Sequence, residues 1–265
     1  MLKKLLCLVC AMLMVLTLAV AEDEEIYIEE IIEDVLITED GEEIPLEEKV
    51  LNPAREDLID RIIAMGQDLY EKANGKAQRA HYSGDIYVCK NFTTYLFRKN
   101  RDDFRMAEYP DTTLIIPNNL PSNKCKPYYY GMFWEEKSAE DGNPFEVGAQ
   151  FLYDSELTEE QNFQLACDFM REAKRGDFLQ ISAKYEYGTG AHSAIVIADY
   201  DDVNDEIHWM DSNMRGKKVN GIRYGIVQYD EVKSVEWWAN TFCHKKRGAT
   251  LYRLRDDIVY AEDVE

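Results

Sequence analysis

The 265-residue chain is short of positive charge: 30 Lys and Arg stand against 51 Asp and Glu, a formal net charge of −21. A surface of that sign repels nucleic acid and anionic membranes, so no nucleic-acid partner is expected. Cysteine is sparse as well. Of the six present, Cys7 and Cys10 lie in the apolar N-terminal stretch; the other four form no C-x-x-C pair and no Cys/His cluster with zinc-ligand spacing, and they are too few and scattered for a dense disulfide framework. Beyond the first 21 residues no apolar run approaches the ~18 residues that a membrane span needs. Histidine occurs only four times, so each one can be weighed as a catalytic base. At 46% hydrophobic and 12% aromatic, the chain is still too apolar to remain disordered.

The N-terminus has the layout of a secretory signal peptide: Lys3 and Lys4, an apolar stretch over residues 5–20, and Ala19-Val20-Ala21 as an A-x-A cleavage site. The expectation is export to the cell envelope or the extracellular medium, with no stable membrane anchor after cleavage. Removal takes away two lysines and no acids, moving the formal charge from −21 to −23. Cys89, Cys125, Cys167 and Cys243 survive it. The roughly 244 residues left suit one large domain, or a domain with an appendage.

Residues 22–50 carry fourteen acids and one lysine, interleaved with Ile, Val and Leu. They read as an acidic leader, mobile or folded as a loose hairpin about Asp40-Gly41. Asn52 before Pro53 marks a helix start, and Leu58, Ile62, Met65 and Leu69 continue it at helical spacing to Asn74-Gly75. A second helical pattern opens at Cys89. There Cys89, Phe92, Thr93, Leu96 and Phe97 fall at i, i+3, i+4, i+7 and i+8. A cysteine in the first turn of a helix meets free backbone N–H groups and the positive end of the dipole, which favour thiolate. Residues 101–152 hold five of the seven prolines and the aromatic cluster 128–134, and read as an insertion, either a substrate groove or packing. Thr158 with Gln161 is a capping box whose helix places Cys167 on a core face.

Three β-type runs follow between Gly176 and Asn213, each bounded by Gly, Asp or Asn, which makes an antiparallel meander. His192 opens the second run; Asp211 and Asn213 end the third. Adjacent antiparallel strands bring such ends within side-chain reach. His81 lies too close in sequence to Cys89 to approach from a separate sheet, His208 is internal to a strand, and His244 sits in the basic turn Lys245-Lys246-Arg247. His192 is therefore the expected base. Beyond Asn213, residues 214–222 read as a loop, 225–229 as a strand, 231–240 as a short Trp-bearing helix and 249–254 as a last strand. An acidic tail, 257–265, then closes a domain spanning 51–256. The acid-rich turn 199–206 offers oxygens for calcium, but lacks the central glycine of an EF-hand loop.

The order helix-start Cys89, Gly176-Asp177 leading a strand, His192 at the next strand and Asp211-x-Asn213 after it resembles the papain-like cysteine hydrolases. It is most similar to the CHAP and NlpC-type amidase–endopeptidases of bacterial cell walls, and Cys89-Lys90-Asn91-Phe92 is similar to the Cys-x-Asn-Phe of a secreted amidase branch of that fold. The resemblance implies an α+β fold with N-terminal helices packed on an antiparallel β-meander. It also implies Cys89 as nucleophile, His192 as base, and Asp211 and Asn213 as the polar pair that orients it. Peptidoglycan stem peptides or another peptide are the implied substrate, with no cofactor and no metal. The Cys89 N–H would donate to the oxyanion, with Tyr82 as the candidate second donor. The alternatives are a secreted cysteine peptidase acting on protein, or a binding module that keeps the scaffold without turnover. With Cys89 reserved for chemistry and Cys167 for the core, Cys125 and Cys243 are the pair left that an exported protein permits to bridge.

Overall fold

The computed structural model describes residues 35–37, 43–45, 51–73, 78–80, 88–115, 142–182, 191–244 and 246–264. The expected signal peptide, Tyr82, Cys125 and the aromatic cluster lie outside them. The chain divides into two units, Met1–Val50 and Leu51–Glu265. In the first, β1 (Val35–Ile37) and β2 (Glu43–Pro45) pair antiparallel with Leu36 opposite Ile44.

The second unit begins with α1 (Pro53–Ala73). Asn52 caps it, its Oδ1 accepting from the N–H groups of Ala54 and Arg55 at 3.0 and 3.1 Å. After β3 (Gln78–Ala80) comes α2 (Cys89–Asn100), whose Phe92, Thr93, Leu96 and Phe97 are fully buried on one face. Then follow β4 (Phe104–Met106), β5 (Tyr109–Thr113), β6 (Phe145–Phe151) and α3 (Glu159–Arg171), which has the Thr158/Gln161 capping box. The rest is β7 (Phe178–Ile181), β8 (His192–Val196), β9 (Glu206–Val219), β10 (Ile222–Ser234), α4 (Val235–His244), β11 (Ala249–Leu254) and β12 (Ile258–Tyr260).

Seven strands form one antiparallel sheet in the order β3-β10-β9-β8-β7-β11-β6; β12, β4 and β5 form a smaller one. The protein is α+β. Side chains alternate between the faces of the large sheet, and each face is covered by a pair of helices. Phe178, Ile195, Met210 and Tyr252 pack with Leu58, Ile62, Phe92, Leu96 and Phe97 from α1 and α2. Leu179, Ile181, Ala194, Val196 and Trp209 face the other way, onto Cys167, Phe169 and Met170 of α3 and Trp238 and Phe242 of α4. Each Leu, Ile, Val, Phe or Met among them contributes about 1.5–3 kcal/mol through burial, before ordering entropy is charged against it.

The turn into β7 is fixed by two residues. Gly176 has φ +88° and its Cα lies against Ile59, so an added Cβ would meet the Ile59 side chain at 2.7 Å. Asp177 is wholly buried and accepts from Nε and Nη2 of Arg253, at 2.9 and 2.8 Å. Burial pushes its carboxyl up, and the Arg253 hydrogen bond and charge oppose that. Removing one partner of a buried pair of this kind typically costs about 3–5 kcal/mol.

Two expectations are corrected. Residues 214–222 are not a loop. They are the closing half of β9 and the start of β10, joined by Asn220-Gly221 with φ +51° and +77°, the double positive φ of a two-residue hairpin turn. Residues 231–234 belong to β10, paired with β9 beyond a bulge at Asp230 (φ +53°), so the Trp-bearing helix starts four residues later, at Val235. Within the acidic tail β12 pairs with β4, and Asn52 Nδ2 donates to the carbonyl of Ile258 at 2.8 Å. Likewise, residues 145–151 of the supposed insertion are an edge strand of the main sheet.

Candidate active site

Strand pairing places His192 opposite Ile181 on β7, at the edge where β8 begins. On its other side β8 pairs with β9 only from Ala194 to Val196, Ala194 lying opposite Asp211. Before Ala194 the two strands are no longer paired, which frees backbone groups of β8. Cys89 is at that end of the ladder: its Sγ is 4.0 Å from the Ala191 carbonyl oxygen, and the Ser193 N–H acts on the sulfur.

The nucleophile comes from the first turn of α2. Its N-cap residue, Val88, is extended (φ −104°, ψ 135°) and offers no side-chain cap. The N–H groups of the first turn are therefore not satisfied by a capping side chain, and that of Lys90 also acts on the sulfur. Burial pushes the Cys89 thiol up. The hydrogen bond and charge of His192, with the Ser193 and Lys90 N–H groups, outweigh it, and the thiol falls below its ordinary value.

The imidazole comes from the opposite face. By alternation His192 and Asp211 share the α3/α4 side with Ala194, Val196 and Trp209. Nε2 of His192 is 2.7 Å from Oδ2 of Asp211, and Asp211 is 3% exposed. An ionised carboxylate only accepts, so Nε2 carries the hydrogen and Nδ1 is left for the thiol. Nδ1 is buried with no hydrogen-bond partner among the described residues, and the Cys89 thiol is, with Asp211, one of the two groups that act on the ring. Burial lowers the pKa of His192; the Asp211 hydrogen bond and then the Cys89 thiol reverse that, raising it to about 9. Trp209 roofs the carboxylate: its Nε1 is 3.5 Å from the same Oδ2, and its ring packs edge-on against Trp238 at 4.8 Å.

The structure thus brings Cys89, His192 and Asp211 together. Asn213 lies two residues along β9 from Asp211, on the same face and half-buried, and makes no hydrogen bond to the ring. Tyr82 lies outside the described residues, so the second oxyanion donor is unassigned. His208 is occupied elsewhere, its Nδ1 2.7 Å from Asp230. Ser193 and Trp209 were missed in the sequence; the spacing of Trp209 and Asp211, two apart on one strand, is the signal that places them on one face.

The other cysteines do different work. Cys167 is buried between α3 and α4, and burial pushes its thiol up. Cys243 is half-buried with a free thiol, raised to about 11, chiefly by burial; its expected partner Cys125 lies outside the described residues. The acid-rich turn spends its carboxylates internally. Asp201 accepts from Val203 and Asn204, and Asp205 pairs with Arg171 and Tyr200. Among the described residues no cluster of three His, Cys, Asp or Glu is placed to hold a metal, and no helix is long and apolar enough to cross a membrane. No family model, curated protein or solved structure matches this chain.

Proposed function

We propose that the protein is an exported thiol-dependent amide hydrolase of papain-like architecture, acting on peptide amides such as those of peptidoglycan stem peptides. The observation that carries this reading is the buried His192–Asp211 contact at 2.7 Å, with the other ring nitrogen buried and a thiol at a helix N-terminus acting on the same ring. Each half raises or lowers the other in the sense that favours thiolate and imidazolium at neutral pH.

In the reaction, the Cys89 proton resides on Nδ1 of His192 and the thiolate attacks the amide carbonyl carbon. Charge then develops on the carbonyl oxygen near the first N–H groups of α2, which stabilise it. Collapse breaks the C–N bond, and the imidazolium passes its proton to the leaving amine. Water, deprotonated by the now neutral His192, hydrolyses the acyl-thioester and restores the thiol. Asp211 keeps the ring in the required tautomer throughout.

The reading is tested by incubating the purified protein with peptidoglycan and with a peptide library, and identifying products by mass. Hydrolysis should appear as products one water heavier than the intact bond, at amide linkages only. Glycan cleavage, or no turnover of any amide, would count against it.

A further inference from the structure

Arg247 differs from the other buried arginine environments. Arg55, Arg171, Arg253 and Arg255 each hold a carboxylate. Arg247 is as buried as any of them, at 7% exposed, yet among the described residues its side chain makes no ion pair and no hydrogen bond, and its Nε is sealed from solvent without a partner. Burial alone acts on the guanidinium and lowers its pKa; no carboxylate opposes it. Leaving a cation buried and uncompensated is costly. In a chain with 51 acidic residues, its isolation does not come from any scarcity of carboxylates.

Its position links it to the site. Arg247 lies in the turn between α4 and β11, where its N–H donates to the Phe242 carbonyl and the preceding Lys246 has φ +46°. The next residue, Gly248, is clamped to the end of β7: its N–H donates to Ser182 Oγ at 2.9 Å, and its carbonyl accepts from the Ser182 N–H at 2.8 Å. Ala249 then pairs with Ile181, and Ile181 with His192. Arg247 is therefore at the same end of the sheet as His192, two strands away, a separation of about 10 Å. An extended peptide crosses that distance in about three residues. Lys246, exposed beside it, adds a second positive charge.

We propose that Arg247 binds a carboxylate of the substrate two or three residues from the scissile amide, so that the preferred substrate is an anionic peptide. This rests on the amide-hydrolase reading of Cys89 and His192. The planar guanidinium receives the carboxylate through paired N–H···O bonds, and the ligand supplies the countercharge the fold withholds. A long-range field from the protein's net charge repels such a peptide, so the attraction has to be local, and Arg247 provides it.

The test measures binding in the Cys89→Ala background, by calorimetry, and hydrolysis with the intact chain. The probes are an alanine-rich pentapeptide with one glutamate, its glutamine counterpart, and each of these as C-terminal acid or C-terminal amide. The carboxylate form should bind roughly tenfold or more tightly than its uncharged match. The pair that shows the preference identifies a side-chain or a terminal carboxylate. Arg247→Gln should bring the ratio near one, Arg247→Lys should retain part of it, and circular dichroism shows that both fold. Equal binding of charged and uncharged probes by the parent, or a preference that survives Arg247→Gln, would overturn the proposal. A charge preference that depends on Arg247, without hydrolysis of any probe, would keep this site and remove the hydrolase reading instead.

Discussion

Replacing Cys89 with alanine is expected to abolish amide hydrolysis, a loss on the order of 10⁴- to 10⁶-fold in kcat, while the fold is retained. Among the described residues of the site, the Cys89 thiol is the nucleophile by which the proposed mechanism forms its acyl intermediate. It is only half-buried in the first turn of α2, so its removal leaves no large cavity. Serine does not rescue it: the hydroxyl is far less acidic than the thiol, so the imidazolium partner is lost with the thiolate. The same substitution should lower the pKa of His192, because the Cys89 thiol, with Asp211, raises it against burial. Proton titration of the His192 ring by NMR in the alanine variant should therefore show a midpoint below about 9. Retained turnover in Cys89→Ala would move the chemistry elsewhere.

The second large effect is expected at Asp211. Changing it to asparagine leaves the size of the side chain and removes the charge that holds the imidazolium. Burial, the largest influence on the ring, then dominates and pulls the His192 pKa down. The amide also accepts or donates without enforcing the tautomer that turns Nδ1 toward sulfur. Together these should cost on the order of a hundredfold or more in kcat/KM. The sign of the pH effect follows from the same pair. Activity needs the imidazolium, so in the parent it should fall as pH rises through about 9, the raised value of His192. In Asp211→Asn this alkaline limb should move to lower pH. Asn213→Ala should cost less, since Asn213 makes no hydrogen bond to the ring. A silent Asp211→Asn with a crippled Asn213→Ala would exchange their roles.

How much of this was legible in the sequence depended on whether the deciding physics is local. The caps at Asn52 and Thr158 and the apolar face from Phe92 to Phe97 are local, and they appear where the residues place them. The β9–β10 hairpin was equally local, yet the charged and glycine-bearing residues around Asn220-Gly221 hid it. The dipeptide itself is the strongest two-residue hairpin signal. The bulge at Asp230 had no such marker, and with it went the start of α4. At the site, strand-end logic brought His192 and Asp211 into one neighbourhood. The approach of Cys89 from the opposite face depends on where β8 and β9 stop pairing, which is a property of the whole sheet. Arg247 read as one more charge in a basic turn, because isolation from every carboxylate is visible only once burial is known.

The rate of Cys89 alkylation against pH, followed by peptide mapping, tests the central claim most directly, because it reads the thiolate–imidazolium pair without knowledge of the substrate. At about pH 6.5 iodoacetamide should modify Cys89 well ahead of an ordinary thiol of pKa ~8.5. Cys167 and Cys243 should stay unmodified, as burial raises both, Cys243 to about 11. Cys89→Ala should remove the reaction, and Asp211→Asn should shift its onset to higher pH. Alkylation of Cys89 that follows an ordinary thiol's titration, indifferent to Asp211, would contradict the account.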